Sequence, residues 1–176
     1  MNTAPKSSSL ALRPASASAS ASGKILAVDY GRARIGLAIA ESLCGIAQPF
    51  DVLTRINRNE DMRRLRELVR GNTVKLILVG LPLRLDGARG EMADEAERFA
   101  QRIRKQIGIP VEMVDERLTS WEAERILEEQ FGRKSKQIDG APKKKDTSKI
   151  TVDSVAAAII LREYLQRVEN AATGAS

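Results

Sequence analysis

The chain has 176 residues, 43% of them hydrophobic and 30% charged, with a formal net charge of +6, one cysteine and no histidine. That composition predicts one globular domain and excludes an internal disulfide, Ser-His-Asp and Cys-His nucleophile systems, the HExxH metalloprotease and any His-bearing zinc site. No apolar run approaches the roughly 18 residues of a membrane helix, and the lone Cys44 fits a reducing, cytoplasmic setting.

Residues 1–23 are rich in Ala and Ser, end in "ASASASASG" and show no periodic apolar face. They predict a disordered extension rather than a secretory signal, since no sustained apolar core is present. From Lys24 the pattern becomes regular. "KILAVD" and "IGLAIA" read as two strands joined by a Gly-containing turn, each apolar on consecutive residues and so buried on both faces. "GIAQPFDVL" reads as a third strand, which Pro49 confines to an edge or a bulge. Met62, Leu65, Leu68 and Val69 form one stripe of a helix over 59–71. "VKLILVG" is another buried strand, stopped at Leu81-Pro82. Met92, Ala96, Phe99, Ala100, Ile103 and Ile107 mark a helix over 91–107, closed by Gly108 and Pro110.

"VEMVDE" is a short strand, and Thr119 with Glu122 makes a capping box for a helix running to about Glu129. Residues 132–150 form a basic loop with seven bases and two acids. A last helix covers about 152–168, leaving a tail at 169–176. The globular domain therefore spans 24–168. Its alternating second half demands parallel strands, while the opening meander is antiparallel: an α/β mixed sheet with helices on both faces.

Charge is uneven. The bases of residues 1–24 and 132–150 leave 19 basic against 21 acidic residues elsewhere. Flexible basic arms suit a polyanion, although they also serve solubility. Acids punctuate the ordered part. Asp29 ends the first strand, Asp115 and Glu116 end the last strand, and Asp153 lies in the first turn of the final helix. Taken singly, each has a local explanation as a turn residue, an ion partner or a complement to a helix dipole. Together they match the carboxyl ends of parallel strands, where ligand sites lie. Clustered carboxylates repel unless a cation neutralises them, and Mg²⁺ or Mn²⁺ is the hard-ion choice for oxygen ligands.

"AVDYGRARIGLA", "VGLPLRLDG", "DERLTSWEAE" and "VDSVAAAIIL" together resemble the YqgF family over about Lys24 to Leu165. That family is similar to RuvC-type Holliday junction resolvases and is regarded as maturing the 5′ end of pre-16S ribosomal RNA. The resemblance implies an RNase H-like fold with five strands in the order 3-2-1-4-5. It implies catalysis and metal binding by Asp29, Glu116 and Asp153, with Asp115 a neighbour. It departs from the resolvase pattern after the fourth strand, where "VGLPL" carries no acid before Asp86. Either the fifth-strand acid serves instead or catalysis is weak. Arg34, Arg117 and Lys149 are candidate phosphate contacts. Gly31, Gly36, Gly80 and Pro82 shape the floor of the site by close backbone approach, with turn geometry the simpler account of Gly36.

The expected partner is nucleic acid, with pre-16S rRNA ahead of a DNA junction. A pre-ribosomal particle is a further candidate, and the chain is expected as a monomer or weak homodimer. Two rivals remain. An actin-like or sugar-kinase ATPase would need a second half that the chain lacks. A non-catalytic nucleic-acid-binding or ribosome-assembly factor would suit the basic arms and a partial acid set.

Overall fold

The computed structural model describes residues 23–41, 45–84, 86–116 and 151–173. The helix expected over 119–129, the basic loop at 132–150 and most of the amino-terminal extension lie outside the described residues.

Three strands come first: β1 (Lys24–Tyr30), β2 (Arg34–Ala40) and β3 (Gln48–Thr54). They form an antiparallel meander, as the short apolar runs and tight first turn require. Leu37 pairs with Asp51 but Ala38 pairs with Pro49, which leaves Phe50 as the extra residue of a bulge. β3 is an edge strand, so Pro49 has both of the placements open to a proline in a sheet.

Helix α1 (Arg58–Gly71) starts at Asn57, whose side chain accepts from the N–H groups of Asn59 at 3.1 Å and Glu60 at 2.9 Å. It leads into β4 (Val74–Leu81), parallel to β1, and α2 (Glu91–Ile107) leads into β5 (Val111–Asp115), parallel to β4. Gly108, at φ 79°, ends α2 in the left-handed region that glycine enters at no steric cost. The sheet order is β3-β2-β1-β4-β5.

Helix α3 (Val152–Thr173) closes the fold. It is longer than its apolar pattern predicts and takes in much of the expected tail. Ala171 and Ala172 favour helix, and Gly174 is the first breaker in the sequence. Two cores result. Leu26, Val28, Leu37, Ile77 and Val79 pack under α1 and α2 with Met62, Leu65, Phe99 and Ile103. Ile25, Ala27, Ala38, Leu76 and Leu78 pack under α3 with Ala157, Ile160 and Leu161. Small residues on this second face let α3 lie close to the sheet.

Candidate active site

Side chains alternate along β1, so Leu26 and Val28 face α1 and α2 while Ile25, Ala27 and Asp29 face α3. Asp29 pairs in register with Gly36 of β2, and the next level of β4 beyond the Val28–Val79 pair is Gly80. One row across the α3 face therefore reads Gly36, Asp29, Gly80. The carboxylate stands between two strand positions that have no side chain.

Each gap is filled from outside the sheet. A methyl group on Gly36 would overlap the carbonyl of Asp153 and lie 3.1 Å from the nitrogen of Ser154. The first turn of α3 thus rests on bare backbone beside Asp29. A methyl on Gly80 would overlap Oε1 of Glu116 and come within 2.8 Å of Ile160 Cδ1. The Glu116 carboxylate lies over that glycine. Gly36 is accordingly a seat for a helix rather than a turn residue, correcting the simpler expectation. The clue in the sequence was a glycine in the middle of a buried apolar run, which marks close approach. Gly31 is a turn residue: it donates its N–H to the Arg34 carbonyl at 3.0 Å, and a methyl there would lie 2.6 Å from the same oxygen. Pro82 sits just beyond β4 in a tight turn closed by the Leu83 N–H on the Leu81 carbonyl at 2.9 Å.

The start of α3 is fixed by a reciprocal cap. The Thr151 N–H donates to Ser154 Oγ at 3.0 Å, and the Ser154 N–H donates to Thr151 Oγ1 at 3.4 Å. Ser154 is fully buried, so the cap locks Asp153, one of the two residues between, at the sheet edge. Asp153 accepts from Arg34 Nε at 2.7 Å. Burial, and to a lesser degree the neighbouring Asp153, together raise the Asp29 carboxyl to about 6. Burial likewise pushes Glu116 up to about 7, helped by Asp29 and Asp115. Asp29 is the neighbour common to Glu116 and Asp153.

The carboxylates gather without forming a finished cage. Among the described residues no three acidic, histidine or cysteine side chains are grouped as a ready metal site. Asp153 is engaged by Arg34 instead. The donors nevertheless suit a hard divalent cation: all are carboxylate oxygens, and two are held in a partly buried, mutually repelling pair. Arg117 and Lys149, the other expected phosphate contacts, lie outside the described residues.

Sequence reasoning missed the support under the β1–β2 turn. Arg55 donates to Asp61 Oδ2 at 3.1 Å, to Tyr30 Oη at 2.8 Å and to the Gly31 carbonyl at 3.3 Å. Asp61 is 1% exposed and also accepts from the Ile56 N–H at 3.1 Å. Across the turn, Arg32 pairs with Glu91 and Glu95 of α2, both at 2.9 Å. The signal was present: Asp61 falls one turn before Leu65 on the apolar stripe of α1, where a lone acid needs a buried partner.

A 3-2-1-4-5 sheet with acids at the carboxyl ends of β1 and β5 and at the start of the covering helix defines an RNase H-like domain. Within that class the chain belongs to the RuvX family, also called YqgF and described as Holliday junction resolvase, whose profile matches residues 23–167. A relative from Koribacter versatilis is 39% identical over 145 residues, covering 82% of this chain and 88% of that protein. One from Chloroflexus aurantiacus is 41% identical over 144 residues, covering 80% and 85%. Both bear the name "Putative pre-16S rRNA nuclease". Among solved structures, Thermus thermophilus RuvC aligns over 82% of this chain and 96% of that one, with 12% identity and a TM-score of 0.49.

Proposed function

We propose that this chain is a nuclease that hydrolyses phosphodiester bonds at the Asp29 row, with the 5′ extension of pre-16S rRNA as substrate. The observation that carries the reading is the half-buried Asp29 carboxylate between two glycine gaps, with Glu116 and Asp153 drawn in around it. Such an arrangement serves no packing purpose, since burying like charges costs stability. The names of the relatives supply the substrate.

Asp29 and Glu116 would hold Mg²⁺ or Mn²⁺, with Asp153 as the third ligand. When bound, the cation would activate water and stabilise the leaving oxygen. The chain's own residues do the positioning. β1 is buried and rigid, which fixes Asp29 to the accuracy that catalysis requires. Gly36 and the Thr151–Ser154 cap set the height of Asp153. Arg34, paired with Asp153 and more than half exposed, is placed to transfer its guanidinium to a phosphate arriving at the same edge. No helix among the described residues is long and apolar enough to cross a membrane. The cytoplasm, and a pre-ribosomal particle within it, is the setting this reading assigns. The chain acts there as a monomer or weak homodimer.

The family description favours a second substrate, a four-way DNA junction. Both are tested together. End-labelled 5′-extended 16S precursor RNA and a labelled junction are incubated with and without Mg²⁺ or Mn²⁺, with Asp29→Asn alongside wild type. Metal-dependent cutting of the RNA, lost in Asp29→Asn, is expected. Equal cutting by both proteins, or no cutting by folded wild type, overturns the nuclease reading. Paired incisions in the junction alone move the substrate to DNA.

A further inference from the structure

Charge is segregated along α1 and α2. Near their amino ends, at the site edge of the sheet, most bases are matched, Arg58 and Arg64 of α1 being the exceptions. Arg32 pairs with Glu91 and Glu95, Arg89 with Asp94 and Glu97, and Arg63 with Glu60 and Glu67. Toward the carboxyl ends this changes. From Arg98 to Ile107, α2 carries four bases and no acid. Among the described residues, Arg70, Arg98, Arg102 and Lys105 take part in no ion pair.

These side chains flank, on its solvent side, the groove where α1 and α2 meet. α1 and α2 lie side by side on the same sheet face, and Arg66 of α1 donates to the Gln106 carbonyl of α2 at 3.3 Å. Leu65 and Val69 point into the core, which turns Arg66 and Arg70 toward the outer flank beside α2. Ala96, Phe99, Ala100 and Ile103 are buried on α2, so Arg98, Arg102 and Lys105 line the opposite, outer side. Among the described residues the acids nearest them are Glu67, which Arg63 holds, and Asp94, one turn before Arg98, which Arg89 holds. A helix dipole favours bases in the last turn and so accounts for Arg70 and Lys105. It does not account for Arg98 and Arg102, which stand more than a turn from the end of α2.

We infer that this groove between α1 and α2 is a second nucleic-acid surface, one that binds the phosphate backbone of a folded RNA segment away from the cleaved bond. The inference rests on the nuclease reading for the class of partner. Five guanidinium and ammonium groups, with no exposed aromatic neighbour among the described residues, suit backbone contact rather than base stacking. Along α2 the bases run from about 10 Å to about 21 Å beyond Glu91, taking 1.5 Å per residue. The groove is also on the sheet face opposite to Asp29. Only an RNA with structure extending past the site reaches both, so the groove would favour long precursors over short oligonucleotides.

The test is binding of a 30-base-pair RNA duplex, followed by fluorescence anisotropy across a KCl series without divalent metal. Wild type is compared with the triple variant Arg98→Gln/Arg102→Gln/Lys105→Gln and with Arg63→Gln as a paired-charge control. All four positions are surface positions, and equal melting temperatures establish folding. The triple variant is expected to bind at least tenfold more weakly at 0.1 M KCl, with a log–log salt slope shallower by about 2 to 3, as three lost phosphate contacts require. Arg63→Gln is expected to stay within twofold of wild type. Unchanged affinity and slope in the triple variant overturn the inference, as does an equal loss in Arg63→Gln, which would mean bulk charge alone. Displacement of the duplex by polyglutamate at equal charge concentration would make the groove a surface for acidic protein and also overturn it. Triple-variant loss in a protein that cuts no RNA leaves the groove standing and removes the nuclease reading. Cutting of RNA with no triple-variant loss does the reverse.

Discussion

The chemistry proposed for Asp29 depends on what its neighbours in the sheet lack. Gly36 and Gly80 flank it on the same face, one giving room to helix backbone and the other to a carboxylate. The two gaps differ in tolerance. At Gly80 the obstructing atoms are the end of a glutamate side chain and a methyl of Ile160, which have rotamer freedom. At Gly36 they are the backbone of Asp153 and Ser154, locked by the Thr151–Ser154 cap. Gly36→Ala therefore has to lift α3 off the sheet or bend β2, an overpacking cost of about 2 kcal/mol, or a melting temperature lower by roughly 4–8 °C. Gly71→Ala is the control: nothing lies within 4 Å of a methyl there, and alanine is the better helix former. A thermal melt in which Gly36→Ala matches wild type would show that α3 is not seated as described.

At the scale of elements, hydrophobic periodicity carried most of the fold. Strands β1, β2 and β4 were legible because they are short apolar runs bounded by turns, and α1 and α2 because their stripes repeat at helical spacing. The acids were legible as strand-end residues. Contacts between distant segments were not. Nothing local in "TRINRNED" says that Arg55 reaches back to Tyr30 and Gly31, because that contact exists only once β1 and β3 flank β2. Gly36 was misjudged for the same reason: its partner lies 117 positions along the chain. The Arg55–Asp61 pair ties three elements together, joining the β1–β2 turn, the end of β3 and the first turn of α1. Asp61→Asn removes the charge partner of a mostly buried guanidinium, so a loss of about 3 kcal/mol is expected in urea denaturation. Adding Arg55→Met to Asp61→Asn should recover part of that loss, because a buried pair is costly mainly when half of it is removed. Additive losses in the double-mutant cycle would mean that the two side chains act independently.

For the molecule as a whole, the site costs stability, and pH shows how much. Asp29 rises from 3.8 to about 6 and Glu116 from 4.5 to about 7 on folding. A carboxyl raised in the fold binds its proton more tightly than in the unfolded chain. Its contribution is fully present below the unfolded value and disappears as pH climbs through the folded one. The metal-free protein should therefore lose stability between about pH 4 and pH 7. Glu60 works in the opposite sense, since Arg63 holds it below the ordinary glutamate range. That pair is on the surface and screened by solvent, so the half-buried Asp29 and Glu116 dominate. Asp29→Asn deletes one half-buried charge and relieves Glu116 of its neighbour. The variant should melt higher than wild type at pH 8, and the gap should close by pH 4.5. Mg²⁺ at pH 8 should raise the melting temperature of wild type and leave Asp29→Asn nearly unmoved, because a cation bound only by the folded state stabilises it by mass action. A variant that melts below wild type at pH 8 would mean that Asp29 is held for structure. A higher melting temperature together with lost cleavage would mean that the fold tolerates Asp29 for the sake of its chemistry.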